Sequence, residues 1–208
     1  MNMKLLKKIK KFILPKEVDF FGNLTEQCKI TEEIMKVLVE KYTTTQKGDI
    51  SNLIKKAKKS RKEKLKELEK TFITPVDREA ISRSYSHLYW IVLSVEHFVY
   101  EVDTYEIDSL KEYQKIFDLL LNQIEELSLA FSLFNKKEYD AILKHVNHII
   151  HLDNKLVLIY SIELNKLFNK KELKIILKHR EILAQLKEIS KRIHFCSNQI
   201  EDIVFKID

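Results

Sequence analysis

The chain has 208 residues, of which 45% are hydrophobic and 33% are charged, and it contains only two glycines and two prolines. So few turn-forming residues exclude a fold built from β-hairpins and predict an almost entirely helical protein, long enough to bury a core. The formal net charge of +6, with a pI near 9.0, raises the question of an anionic partner such as nucleic acid or a membrane surface.

Residues 1–16 form a short basic amphipathic segment that Pro15 closes. Apolar side chains alternate there with six lysines, namely Lys4, Lys7, Lys8, Lys10, Lys11 and Lys16. Such a segment suits contact with anionic lipid, although it could instead dock on the bundle or fray. It lacks the apolar core and cleavage site of a secretory signal, and no apolar run approaches the ~18 residues that cross a bilayer. We therefore expect a cytoplasmic protein, peripheral at the inner face of the membrane if this segment binds lipid.

The first two predicted helices differ in charge. Helix one runs from about Asp19 to Tyr42, and Asp49 suits the N-cap of helix two over 50–71. Nine basic residues surround helix two, whereas binding to a nucleic-acid backbone would need them on one side. No aromatic residue is interleaved for base stacking. We therefore interpret this charge as a solvated face and expect no nucleic-acid partner.

Helix three follows a turn that contains Pro75. Proline has no N–H and a fixed φ, so it suits the start of a helix, with Thr74 as the predicted N-cap and Asp77 as the acid of a capping box. The apolar stripe that follows alternates steps of four and three residues, as helices packed in bundles do: Ile81, Tyr85, Leu88, Val92, Val95, Val99 and Val102.

Three further helices complete the chain. Ser109 and Glu112 predict a capping box for helix four. The sequence Asn-Lys-Lys-Glu occurs at 135–138 and at 169–172, and each copy predicts the start of a helix, over 136–168 and 170–207. Six amphipathic helices with short links predict an all-α bundle of two antiparallel three-helix units, 17–104 and 105–208, after the basic segment 1–16. Cys28 and Cys196 lie on apolar stripes and are expected to be buried thiols in a reducing compartment.

Three segments in order along the chain carry a family resemblance. They are Phe12-Ile-Leu-Pro-Lys-Glu-Val-Asp-Phe-Phe21, Phe72-Ile-Thr-Pro-Val-Asp-Arg-Glu79 and Ile200-Glu-Asp-Ile-Val-Phe-Lys206. They are similar to the FPKExxFF, FITPxDRE and IExIVLK motifs of PhoU-like phosphate transport regulators, in the branch that accompanies Pit-type phosphate transporters. The resemblance implies a repeated three-helix bundle and a regulatory protein of inorganic phosphate transport.

Members of this family hold iron or zinc clusters with carboxylates four residues apart, which share one helical face. Carried over position by position, those acids would fall mostly on basic, aromatic or aliphatic residues here: Ile54, Lys58, Tyr89, Trp90, Leu93, Ile149, Asp153, Lys187, Lys191, His194 and Phe195. Only Asp153 is acidic, with Glu96 just beyond the helix-three positions. We therefore do not expect a multinuclear cluster.

Asp153 falls within the apolar stripe of helix five, where a carboxylate must be paired or ligated. One interpretation is a reduced, mononuclear transition-metal site that uses Glu96, His148 and Asp153. The other is an ion pair between Asp153 and a lysine or histidine of a neighbouring helix. His97 and Glu101 are predicted to form an exposed pair one helical turn apart.

The sequence has no glycine-rich phosphate loop, no nucleophile elbow and no evident Cys–His pair, so we do not expect an enzyme. The resemblance implies an accessory protein without a required cofactor, which binds a membrane phosphate transporter of the Pit type. The basic N-terminus would touch the membrane surface, and the regular apolar stripes also allow a homo-oligomer. The alternative function is a metal-ion-binding helical bundle protein.

Overall fold

A computed structural model describes residues 18–44 and 48–207, so the basic segment 1–16 lies outside the described residues. Within these ranges the chain is all helical, which confirms the predicted fold class. The helices are α1 (Phe20–Thr43), α2 (Ile50–Lys70), α3 (Arg78–Thr104), α4 (Gln114–Leu133), α5 (Tyr139–Phe168) and α6 (Leu173–Ile207). Two short 3-10 turns, Lys111–Tyr113 and Phe134–Lys136, flank α4.

The six helices form two layers. Helices α1, α2 and α3 pack on one another, as do α4, α5 and α6, and the two sets meet where α1 packs on α4 and α3 packs on α6. One layer therefore runs in the order α2, α3, α6, α5, and α1 and α4 lie behind it. None of the helices in the described ranges is long and apolar enough to cross a bilayer.

The predicted apolar stripes form the core between these layers. Along α6 the stripe is buried from Ile182 to Ile203, and each fully buried aliphatic or aromatic side chain contributes about 1.5–3 kcal/mol. Phe98 lies at the centre of an aromatic chain, with its ring edge-to-face against Tyr42 at 5.4 Å and against Phe117 at 6.1 Å between centroids.

Cys28 of α1 and Cys196 of α6 belong to this core and are free thiols without exposed surface. Burial raises the pKa of both thiols, because the apolar surroundings disfavour the thiolate. Both cysteines therefore act as small buried hydrophobes, as the apolar stripes predicted.

The N-cap predicted for α2 is confirmed, and the one predicted for α3 is wrong. Asp49 caps α2, and Asp19, predicted only as the approximate start of the first helix, caps α1 by accepting a hydrogen bond from the Gly22 N–H at 2.8 Å. Helix α3 begins later than predicted, because its N-cap is Asp77 and not Thr74. The Asp77 carboxylate accepts a hydrogen bond from the Ala80 N–H at 2.7 Å, which leaves Pro75 in the turn.

The start of α4 also differs from the prediction. Ser109 accepts only a long hydrogen bond from the Lys111 N–H, at 3.4 Å, and a 3-10 turn precedes the helix. Glu112 does not reach back to form a capping box, because it makes an ion pair with Lys170 at 3.2 Å and contacts His179 Nδ1 at 3.1 Å. Contacts between distant parts of the chain therefore replace the predicted local cap.

Both Asn-Lys-Lys-Glu sequences were misread as helix starts. The first follows the end of α4, where Asn135 lies in a 3-10 turn and Lys137 adopts a left-handed backbone with φ of 59°. In the second, Asn169 is the C-cap of α5, and α6 begins at Leu173. Asparagine and lysine also suit the C-terminal end of a helix, where amides tolerate irregular backbone and cations favour the helix dipole. The apolar stripes of α4 and α5 continue up to these two sequences, which favours reading each as the end of the preceding helix.

Candidate functional site

The three segments that carry the family resemblance meet at one end of the bundle. An open cleft of about 960 Å³ lies there, between the start of α1, the 71–77 loop and the last turn of α6. It is lined by described residues of the first two segments, by the 134–139 connection and by Ile207, which directly follows the third segment: Val18, Asp19, Phe20, Phe21, Thr71, Ile73, Thr74, Pro75, Phe134, Asn135, Lys137, Tyr139 and Ile207.

A polar contact ties the second and third segments to each other. Lys206 of the last motif makes an ion pair of 2.7 Å with Asp77 of the second motif, 129 residues earlier. Lys206 also lowers the pKa of Asp77, with the cap from the Ala80 N–H adding to the effect. Asp19 of the first motif accepts a hydrogen bond from Asn135 at 3.1 Å, so this motif is held to the 134–139 connection that lines the same cleft.

A second candidate site lies on the layer of α2, α3, α6 and α5, where the acids of the family would fall. Cations lie over aromatic rings at each junction between these helices. We call this surface the cation–aromatic face and define it by Arg61, Tyr89, Trp90, Tyr160, Lys187, Lys191, Arg192 and Phe195.

At the junction of α2 and α3, the Arg61 guanidinium lies 4.6 Å from the centre of the Tyr89 ring. Its Nε is buried and has no hydrogen-bond partner in the described part of the chain. This residue interrupts the apolar stripe of α2, as the sequence pattern indicated. Stacking on Tyr89 stabilises a cation placed against the core.

At the junction of α3 and α6, the Arg192 guanidinium lies 5.5 Å from the Trp90 ring centre. Trp90 is 41% exposed, so it lies off the buried stripe of α3. Between α6 and α5, the Lys187 ammonium lies 4.8 Å from the Tyr160 ring, and Lys191 lies 5.4 Å from Phe195 on its own helix. The face therefore combines exposed rings with positive charge.

The charges on this face favour anions over metal ions. Arg192 makes a 2.6 Å ion pair with Glu188, but Arg61, Lys187 and Lys191 make no ion pair with any described carboxylate. Cations without an acidic partner attract carboxylate or phosphate groups, whereas a metal cluster needs converging oxygen ligands. Where the family would bind a cation, this chain offers a surface for anionic groups.

The structure gives the three predicted metal-ligating residues separate partners. Both Glu96 carboxylate oxygens accept hydrogen bonds from Lys58 Nζ at 2.7 Å, and this contact also raises the pKa of Lys58. His148 Nδ1 lies 3.1 Å from Glu126 Oε1. Glu126 Oε2 contacts His145 Nδ1 at 2.5 Å, so each carboxylate oxygen has its own imidazole.

Asp153 has two partners on α6. Its Oδ2 lies 2.8 Å from His194 Nδ1, and its Oδ1 accepts a hydrogen bond from Ser190 Oγ at 2.6 Å. The ion-pair interpretation therefore describes this residue. Although serine, histidine and aspartate are all present, Asp153 lies between the other two, whereas a serine nucleophile needs the histidine at its own hydroxyl.

Within residues 18–44 and 48–207, no group of three or more His, Cys, Asp or Glu side chains is arranged to hold a metal ion. The partners Glu126, Ser190 and His194 were not identified as such from the sequence. His194 was noted only as one of the positions at which a family acid is replaced. Helical spacing shows which residues share a face of one helix, but it does not give the register between two helices.

One further prediction concerned Glu101, whereas His179 was not singled out from the sequence. Glu101 accepts a hydrogen bond from Gln185 Nε2 at 2.5 Å, so its partner is on α6 and not His97 as predicted. His179 Nδ1 lies 2.9 Å from the Tyr113 hydroxyl and 3.1 Å from Glu112. Burial lowers the pKa of His179, and it outweighs the opposing effect of the Glu112 charge.

The chain matches no protein-family model and no curated protein sequence. The resemblance to PhoU-like regulators therefore depends on the three motifs alone.

Proposed function

We propose that this chain is a PhoU-like accessory protein of inorganic phosphate transport, which acts by binding a Pit-type phosphate transporter and not by catalysis. The observation that supports this most is the convergence of the three motifs. They are far apart in the sequence, yet Phe21 and Ile73 of the first two motifs line one cleft together with Ile207, the residue after the third. Asp77 of the second motif also pairs with Lys206 of the third. A chance similarity of three short segments would not require them to meet.

Binding through charge fits the chemistry of the cation–aromatic face. Arg61, Lys187 and Lys191 have no acidic partner in the described ranges, and exposed aromatic rings such as Trp90 are frequent anchors of protein interfaces. An acidic cytoplasmic loop of a transporter would supply the missing carboxylates. We therefore place the transporter contact on this face.

Uptake of radiolabelled phosphate tests the proposal in cells that lack this gene and carry it back on a plasmid. Deletion is expected to change the uptake rate, and the wild-type chain should restore it. The double variant Lys187→Glu, Lys191→Glu should fail to restore it, because it reverses the charge of the face. The matched double variant Lys171→Glu, Lys174→Glu, at the start of α6, should restore it. Unchanged uptake after deletion would contradict the proposal.

A further inference from the structure

The 71–77 loop exposes two large apolar side chains in succession. Phe72 is 86% exposed and Ile73 is 80% exposed, the two highest values among the large hydrophobic residues that the structure describes. Phe205, which is 67% exposed, lies in the last turn of α6, beside the Lys206 that pairs with Asp77 of this loop. Three unburied apolar side chains therefore lie at one end of the bundle.

A straight row of lysines leads along α2 to this loop. Lys55, Lys59, Lys62 and Lys66 are spaced by four, three and four residues, which places them within an arc of about 60° and along about 16 Å of helix. All four are exposed, and none makes an ion pair with a described residue. We call this row the lysine stripe.

Three of the other five cations of α2 have acidic partners on its neighbours. The pairs are Lys56–Glu33 at 3.6 Å and Lys64–Glu26 at 3.4 Å with α1, and Lys58–Glu96 at 2.7 Å with α3. Arg61 lies over the Tyr89 ring, and Lys70, in the last turn of α2, is exposed beside the 71–77 loop. Most of the unpaired positive charge of α2 therefore lies on its outer side.

We propose that α2 and the 71–77 loop dock on the anionic surface of a lipid bilayer. The lysine stripe would lie against headgroup phosphates while Phe72 and Ile73 insert between the lipids at its end. Peripheral proteins bind membranes by this combination of basic charge and a small apolar element. A nucleic-acid backbone would also attract the stripe, but it offers no apolar medium for two adjacent exposed side chains, and the stripe carries no ring for stacking.

The inference does not depend on the proposed role in phosphate transport, because its ligand is lipid alone.

Co-sedimentation of the full chain with vesicles tests it, with pure phosphatidylcholine compared with phosphatidylcholine that contains about 30% phosphatidylglycerol. We expect binding to the anionic vesicles only. Replacing the four lysines of the stripe by glutamine should weaken it about 600-fold, since each lysine near the surface contributes about fivefold and the four factors multiply. The double variant Phe72→Ser, Ile73→Ser should weaken it about a hundredfold or more, because the burial of two large apolar side chains is lost.

Matched variants at other surfaces serve as controls. Leu173→Ser with Leu177→Ser removes exposed apolar residues at the opposite end, and Lys115, Lys144, Lys155 and Lys174 changed to glutamine remove equal charge elsewhere. Both controls should bind like the wild type. Equal losses in control and test variants, no binding by the wild type, or binding to RNA but not to anionic vesicles would each overturn the inference.

Insertion of the loop has its own readout. In a Trp90→Phe background, a Phe72→Trp variant carries a single tryptophan in the loop. Its emission should shift to shorter wavelength when anionic vesicles are added, because the indole leaves water. An unshifted spectrum with bound protein would contradict insertion.

Discussion

Replacing Asp153 by alanine should destabilise the fold by about 2–4 kcal/mol. Ser190 is fully buried, and without its 2.6 Å acceptor the hydroxyl would be left unsatisfied, at a cost of about 1–3 kcal/mol. The His194 side chain is 25% exposed, so it can turn to water, and its lost hydrogen bond adds only about 1 kcal/mol. Against a typical stability of about 5–15 kcal/mol, the change is large.

Urea unfolding followed by circular dichroism at the helical band measures this difference. Asp153→Asn is the matched control, because its side-chain oxygen can still accept from Ser190 while the negative charge beside His194 is lost. We expect the asparagine variant to lose less than half as much stability as the alanine variant. The wild-type curve should be the same with and without EDTA. An alanine variant within about 0.5 kcal/mol of the wild type, or a chelator-dependent wild type, would refute the ion-pair interpretation.

Three further predictions concern the cap of α3, the thiols and acid sensitivity. Asp77→Ala should lower the free energy of unfolding, measured in urea, by about 1 kcal/mol. Asp77→Asn should lower it less, since asparagine still caps the helix but lacks the charge that pairs with Lys206. Equal losses in the two variants would contradict the role of Asp77 as the N-cap. Cys28 and Cys196 should react with a thiol reagent such as DTNB only when urea unfolds the chain, because burial raises the pKa of both thiols. Rapid labelling of the native protein would contradict this, since it would show that the thiols are accessible. Burial lowers the pKa of His179, so the unfolded chain takes up a proton before the folded chain does as the pH falls below about 6.5. The free energy of unfolding should therefore decline below that pH, and His179→Gln should reduce the decline. The same pH profile in the variant and the wild type would count against this role of His179.

The helical fold was predictable because its signals are local. Few glycines and prolines exclude hairpins, and the alternation of three and four along α3 and α6 identifies buried faces without reference to any other helix. Asp49 was correctly assigned as the cap of α2 for the same reason. Thr74 was wrongly assigned as the cap of α3, because Asp77 offers a second possible cap three residues later and the sequence does not show which of the two is used.

The candidate sites were less predictable because they join residues of different helices. The pairs Asp153–His194 and Lys58–Glu96 depend on the register of packed helices, which periodicity does not specify. The lysine stripe could not be predicted for a related reason. The sequence of α2 does not show which of its nine cations have acidic partners, because those partners lie on α1 and α3, as Glu33 does.

Direct binding of the purified chain to the Pit-type phosphate transporter of its own organism, held in nanodiscs made of uncharged lipid, tests the proposed function most directly. Uncharged lipid removes the attraction of the lysine stripe, so any binding reports the transporter. We predict saturable binding that the double variant Lys187→Glu, Lys191→Glu weakens about tenfold or more, since it reverses two charges on the cation–aromatic face. Binding no stronger than to empty nanodiscs would contradict the proposed function.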